Sequence, residues 1–301
     1  MFDSRFVAIP WTRGANVFRL VNIAGRAALE RDGDYYDLET RSGDPALADP
    51  MVAISRFDEL HALHDACAIA SPSGSLRDVV LDSPVPLPRQ VFGIGLNYRD
   101  HAGETGAQLP PAPLTFTKFP TSITGPTGDV PLSGSMVDWE VEIVAVIGRA
   151  ASHVPIEAAW DHIAGVTLGQ DISDRAVQMT GVPPQFSLGK SFVGYAPMGP
   201  ALVSSDCLEN RDDIELWCDV NGERKQHARS SLLIFSIPSL VAYLSSICPL
   251  LPGDVIFTGT PSGVGMASGT FLAEGDVIDS HAPGIGALRN RCVAGRGPLP
   301  L

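Results

Sequence analysis

Residues 137–147 constrain the fold more than any other stretch of this 301-residue chain, because they set Asp138, Glu140 and Glu142 into a run that is otherwise apolar and largely β-branched. Such a run predicts a buried strand. Side chains at i and i+2 share one face of a strand, so Glu140 and Glu142 point the same way, joined by Asp138 if the strand begins early enough. Neighbouring carboxylates repel, and burial adds a desolvation cost, so a fold that takes this strand inside needs a cation between them. An all-oxygen donor set suits a hard ion: Mg²⁺ or Mn²⁺, with Ca²⁺ as a further candidate. The competing reading is a solvent-facing acidic row on an edge strand.

Other positions carry chemistry of their own. Asp171 ends the apolar run 163–170, where its carboxylate either meets the first pair or caps a turn before Ser173 and Asp174. His101 and Glu104 are spaced i, i+3; on a short helix they share a face, and a carboxylate that orients an imidazole makes a general base for neutral pH. Lys190, between Gly189 and Ser191, is placed to neutralise a substrate carboxylate or a developing enolate, or is a solvated surface charge. The loop from Thr258 to Gly265 is rich in glycine and hydroxyl groups and offers N–H donors to an anion, but it lacks the Gly-Lys-Ser/Thr ending of a P-loop. Gly93-Ile94-Gly95 is a poor dinucleotide fingerprint, because Tyr98 stands where the third glycine belongs.

With 34 acidic against 21 basic residues the net charge is −13, which disfavours nucleic acid and an anionic membrane surface as partners. No apolar run approaches the ~20 residues that span a bilayer, and residues 1–10 carry Asp3 and no run of signal-peptide length. Five scattered cysteines without a Cys-x-x-Cys pair read as free thiols in a reducing compartment, so the expected location is the cytoplasm.

Thirty glycines and 25 prolines predict many turns and short strands. Residues 17–38 read as a β-meander turning at Asp32-Gly33, and 54–70 as an amphipathic helix through Phe57, Leu60, Leu63 and Cys67. Pro84, Pro86 and Pro88 alternate in an extended connector, which places a boundary between residues 1–83, a small β-rich accessory domain, and 84–301, the catalytic domain. Further strands are expected at 91–96, 163–172, 214–220, 254–258 and 276–279, and a helix at 237–247. Strands without regular βαβ alternation favour an α+β fold or a mixed β-rich roll.

Taken together, the order of motifs resembles the fumarylacetoacetate hydrolase family from about Val91 to Cys292. The matching stretches are Gly95-Leu96-Asn97-Tyr98 with His101 and Glu104, Phe116-Thr117-Lys118, Asp138-Trp139-Glu140-Val141-Glu142 and Asp171-Ile172-Ser173. They continue with Arg175, Gln178, Gly189-Lys190-Ser191, Pro197-Met198-Gly199-Pro200, Asn221-Gly222-Glu223, Pro252-Gly253-Asp254 and Thr258-Gly259-Thr260-Pro261. The resemblance implies a mixed β-roll of layered sheets, commonly a homodimer. It implies a Mg²⁺- or Mn²⁺-type site at Glu140, Glu142 and Asp171, and a His101–Glu104 pair on a mobile lid that activates water. It sets Lys190 beside metal and substrate, gives Thr260 a substrate carboxylate, and makes Gln178, with Arg175 and Tyr98, a candidate substrate contact. Gln170 stands where asparagine is usual, which leaves the ligands intact and the substrate open. The expected activity is C–C hydrolysis of an acylpyruvate-like 2,4-dioxo acid through a metal-bound enolate. Decarboxylation or isomerisation of a 2-oxo or 2-hydroxy-dienoic diacid ranks second, and sugar-derived diketo-acid hydrolysis or dehydration third. A non-catalytic scaffold is disfavoured, since every proposed catalytic position holds a competent residue.

Overall fold

The computed structural model describes residues 17–104 and 109–298. The signal-peptide reading of residues 1–10 lies outside them. The fold is α+β, built on a twelve-stranded mixed sheet, a five-stranded sheet, one short strand pair and scattered helices.

Val141–Ile147 occupies the middle of the large sheet, and all seven of its residues are buried. It pairs antiparallel with Ile163–Gln170 on one side and with Val255–Phe257 on the other. Its odd-numbered side chains (Val141, Ile143, Ala145, Ile147) join a core shared with Leu216, Cys218 and Ile278 of the five-stranded sheet. Its even-numbered Val144 and Val146 join a second core containing Ile54 and Leu60 of the N-terminal helices. Period-two alternation on a strand covered on both faces therefore makes both registers apolar, and any polar residue at its N-terminal end is carried into the interior.

The expected 137–147 strand is interrupted. Val137–Asp138 pairs with Ser173–Asp174 in a separate two-stranded sheet, and the main strand resumes at Val141. Two glutamine side chains fill the break: Gln170 Oε1 accepts from Glu140 N at 2.9 Å and Gln226 Oε1 from Val141 N at 3.0 Å. Buried N–H groups that leave the ladder need such substitutes.

The meander is present as Arg19–Ile23, Arg26–Arg31 and Asp34–Asp37. The expected 54–70 helix is divided at Arg56 into Pro50–Ser55 and Phe57–Ala66, and the later helix spans Ile237–Ser245. The proline connector divides the chain without dividing the sheet. Arg19–Ile23 pairs with Ala196–Val203, and the buried Arg19 guanidinium donates to Gly284 O at 2.7 Å and Ile285 O at 3.0 Å. Strands absent from the sequence expectation include Ala196–Val203, Glu223–Arg229 and Gly286–Ala294.

Candidate metal centre

The strand break is what assembles the site. Glu140 sits in it, Glu142 one pleat further on, and Asp171 directly after Ile163–Gln170, whose last residue faces Val141. Asp171 N donates to Glu140 O at 2.8 Å, which fixes the two chain segments against each other. One carboxylate oxygen from each of Glu140, Glu142 and Asp171 lies within 4.8 Å of the others, and all three residues are buried. The sequence left two readings for Asp171 and for the acidic row; the structure brings the three together in the interior.

Cations surround two of the three. Lys190 Nζ is 2.7 Å from Glu140 Oε2 and 2.7 Å from Asp171 Oδ2. Lys118 Nζ donates to Asp171 Oδ1 at 2.6 Å and also to Lys190 O. Arg175 Nη2 lies 2.6 Å from Glu140 Oε1 and 2.7 Å from Asp138 Oδ2, while its Nη1 donates to Gln178 Oε1 at 2.9 Å. Asp138 does not join the triad. Its carboxylate accepts from Arg175, from Gly265 N at 2.7 Å and from Met266 N at 2.9 Å, so it anchors the loop that follows Gly263.

Glu142 differs: its described hydrogen-bond partner is Gly259 N, at 2.7 Å. Burial raises the Glu142 carboxyl well above the ordinary range, and the charges of Asp171 and Glu140 push it further. Glu140 is buried as deeply, yet Lys190 and Arg175 outweigh that burial and hold it at about 2. Burial lowers Lys118, with Asp171 opposing, whereas in Lys190 the two carboxylates overcome burial and raise it. Four carboxylates (Asp138, Glu140, Glu142, Asp171) thus meet three fixed cations (Lys118, Lys190, Arg175), and the strained member is Glu142. A divalent cation fits this arrangement: its donors are all oxygens, and it would relieve Glu142, the one of the four with no ion pair among the described residues.

Thr260 Oγ1 donates to Val141 O at 3.0 Å and accepts from Gln226 Nε2 at 2.8 Å. The loop reaches the strand closely because Gly259 has φ +106° and a Cβ there would lie 2.6 Å from the Cβ of Asn97. Tyr98 is wholly buried, and its hydroxyl is raised first by burial and then by the Glu142 charge.

His101 and Glu104 lie on the short helix Arg99–Glu104, with Nδ1 3.2 Å from Glu104 Oε2. The Glu104 carboxylate also accepts from Gly263 N at 3.0 Å, and Asp100 Oδ2 accepts from Ser262 Oγ at 2.8 Å. His101 is buried, and through Glu104 its helix is tied to the same loop that supplies Gly259 N to Glu142. One loop, residues 259–263, thus touches both the dyad and the triad. Lys118 and Gln226 are organisers that the residue-by-residue reading missed, while Asp138, read there as a possible third member of the acidic face, anchors the neighbouring loop instead. Lys118 was legible only inside the Phe116-Thr117-Lys118 match, and Gln226 carries no signal beyond its even position on an exposed–buried strand.

Residues 90–293 match the family model of the fumarylacetoacetate (FAA) hydrolase C-terminal domain. This chain belongs to the fumarylacetoacetate hydrolase family. Among family members, the chain is 35% identical over 276 residues to the mitochondrial oxaloacetate tautomerase FAHD2A of Homo sapiens, covering 87% of this chain and 88% of that one. A crystal structure of a Mycobacterium smegmatis protein given the name HpcE superposes with TM-score 0.86 at 46% identity, covering 92% of this chain and 99% of the other. Maleylpyruvate hydrolase from Sphingobium sp. SYK-6, solved with manganese(II) and pyruvate, superposes with TM-score 0.78 at 26% identity over 92% of this chain and all of that one. The family relatives thus bear hydrolase, isomerase and tautomerase names, and the layered mixed-sheet fold is the family's.

Proposed function

We propose that this member of the family is a divalent-metal-dependent enzyme that moves a proton on the carbon beside the keto group of a small 2-oxo diacid. In this reading it is a keto–enol tautomerase of the oxaloacetate type. The observation that carries the reading is the His101–Glu104 pair, 3.2 Å apart, its imidazole buried and its carboxylate held by Gly263 N of the loop whose Gly259 N holds Glu142. Its further support is the similarity to an oxaloacetate tautomerase along nearly nine-tenths of both chains.

Glu140, Glu142 and Asp171 would hold Mg²⁺ or Mn²⁺, which when bound supplies Lewis-acid polarisation of the keto oxygen. Glu104, fixed by Gly263 N, accepts from His101 Nδ1 and so sets the imidazole tautomer; proton exchange with the substrate carbon then falls to Nε2. Lys190 offsets negative charge that develops on the substrate oxygen. Thr260 and Tyr98 are proposed to line the substrate. Arg175 and Gln178 act from behind, since the guanidinium is engaged by Asp138, Glu140 and Gln178.

C–C hydrolysis, ranked first from the sequence, becomes the second reading, with the same dyad activating water. It is favoured by the likeness to the manganese- and pyruvate-bound maleylpyruvate hydrolase. A panel of oxaloacetate and acylpyruvates, assayed with Mn²⁺ and with EDTA, separates the two: interconverted tautomers support the first reading, two carboxylic fragments the second.

We also propose a homodimer, for which exposed Phe119, Met179, Val182, Leu188 and Val193 beside the site provide apolar surface. The five free cysteines favour a reducing compartment such as the cytoplasm. Among the described residues no helix is long and apolar enough to cross a membrane, and the charge of −13 disfavours nucleic acid.

A further inference from the structure

We infer that Trp139 and Gly263 are positioning residues that tie the catalytic dyad to the strand bearing the metal ligands. Trp139 lies between Asp138 and Glu140 and is 2% exposed. Its indole Nε1 donates to Gly263 O at 3.0 Å. The N–H of the same glycine donates to Glu104 Oε1 at 3.0 Å and Oε2 at 3.2 Å, and Glu104 in turn holds His101. Gly263 is thus gripped at both of its backbone polar groups, one by the ligand strand and one by the dyad.

The glycine position admits no side chain. Its φ is +97°, and a Cβ there would lie 1.9 Å from Lys225 O of the strand Glu223–Arg229. From that strand Gln226 also donates to Pro261 O at 2.9 Å, so the loop is held from behind two residues before the glycine. Asp138, one residue before Trp139, accepts from Gly265 N and Met266 N and fixes the loop beyond the glycine. A second tie, Ser262 Oγ to Asp100 Oδ2 at 2.8 Å, reaches the start of the dyad's helix.

The consequence is geometric. The spacing of the dyad from the carboxylate triad is set through Trp139, in the strand break beside Glu140, and through Gly263 of the loop, rather than by the helix Arg99–Glu104 alone. Misplacement of a catalytic group by about 1 Å costs on the order of 10²-fold in rate. Trp139 is therefore more than a packed core ring: its N–H is the part that acts on the dyad.

This inference rests on the dyad reading above, and the test separates the two. Trp139→Phe keeps the ring and removes the indole N–H. The expected result is a kcat lower by about 10- to 100-fold with KM and Mn²⁺ affinity close to wild type. In the metal-free protein, hydrogen exchange at the Gly263 amide and across Arg99–Glu104 should quicken about tenfold or more. Ser262→Ala, at a partly exposed position, should lower kcat in the same direction by less, with Ser262→Thr restoring it. His101→Gln serves as the reference. If His101→Gln is as active as wild type, the dyad reading fails. If His101→Gln is crippled while Trp139→Phe and Ser262→Ala match wild type in kcat and exchange, this inference alone is overturned. Should Trp139→Phe not fold, the Ser262 pair and its exchange readout decide the matter.

Discussion

Lys118 Nζ lies 2.6 Å from Asp171 Oδ1, and neither side chain has any exposed surface. The ammonium sits against a carboxylate of the candidate metal triad in the interior, at the expense of its own desolvation. Lys118→Met leaves Lys190 as the remaining described cation of Asp171 and should cost less than the roughly 3–5 kcal/mol of a fully unpaired buried charge, measured in EDTA. A bound divalent ion takes over part of the lysine's role, so the loss in Tm should shrink with Mn²⁺. Thermal unfolding with and without the ion checks this; equal losses in both conditions would mean that Asp171 is not a ligand.

Glu142 carries the opposite sign. Burial and two like charges already disfavour its ionised form, so Glu142→Gln should raise the stability of the metal-free protein. The same change removes a ligand, and Mn²⁺ affinity should fall by more than the roughly 10–100-fold typical of outer-shell partners. Calorimetric titration of the ion beside denaturant unfolding in EDTA reads both quantities. A variant that loses stability and keeps its affinity would count against the charge arrangement described above.

For the dyad, His101→Ala should lower kcat by roughly 10²–10⁴-fold. Glu140, Glu142 and Asp171 are untouched by that change, so Mn²⁺ affinity should stay close to wild type. Steady-state kinetics at saturating Mn²⁺ tests the role, and an undiminished rate removes it.

His64 supplies a pH signature remote from the site. Burial, aided by the Arg31 charge, lowers its imidazole below the ordinary 6.5. The unfolded chain therefore binds more protons in the window just below 6.5, and stability rises with pH across it. The contribution is complete above pH 6.5 and is lost as pH falls toward the folded-state value. Urea unfolding between pH 5 and pH 7 should show a flatter profile for His64→Leu than for wild type; identical slopes would place the acid sensitivity elsewhere.

Much of the fold was legible where one physical rule dominates. The β-branched run at Val141–Ile147 reads as a strand, with a buried or an edge position left open, and Asp32-Gly33 reads as a hairpin turn. The i, i+3 pair at His101 and Glu104 needed only a local helix. What depends on long-range partners stayed hidden. The break before Val141 relies on Gln170 and Gln226 arriving from two other strands. Lys118 becomes a site residue only because its strand end meets Asp171, which lies 53 positions away. The prolines at 84, 86 and 88 mark an extended connector, but nothing in them tells that Arg19–Ile23 would add to the same sheet as Ala196–Val203. The glutamine in place of asparagine at 170 has its reason in reach: its amide spans from Glu140 N to Ser280 Oγ, 2.8 Å away.

The most direct test of the central claim is the rate of enol-to-keto conversion of oxaloacetate, followed by loss of enol absorbance over the uncatalysed and ion-only background. Wild type with Mg²⁺ or Mn²⁺ should accelerate it, EDTA should abolish the acceleration, and His101→Gln with the ion present should retain at most about a hundredth of it. Acceleration that survives EDTA, or that His101→Gln leaves intact, would contradict the account.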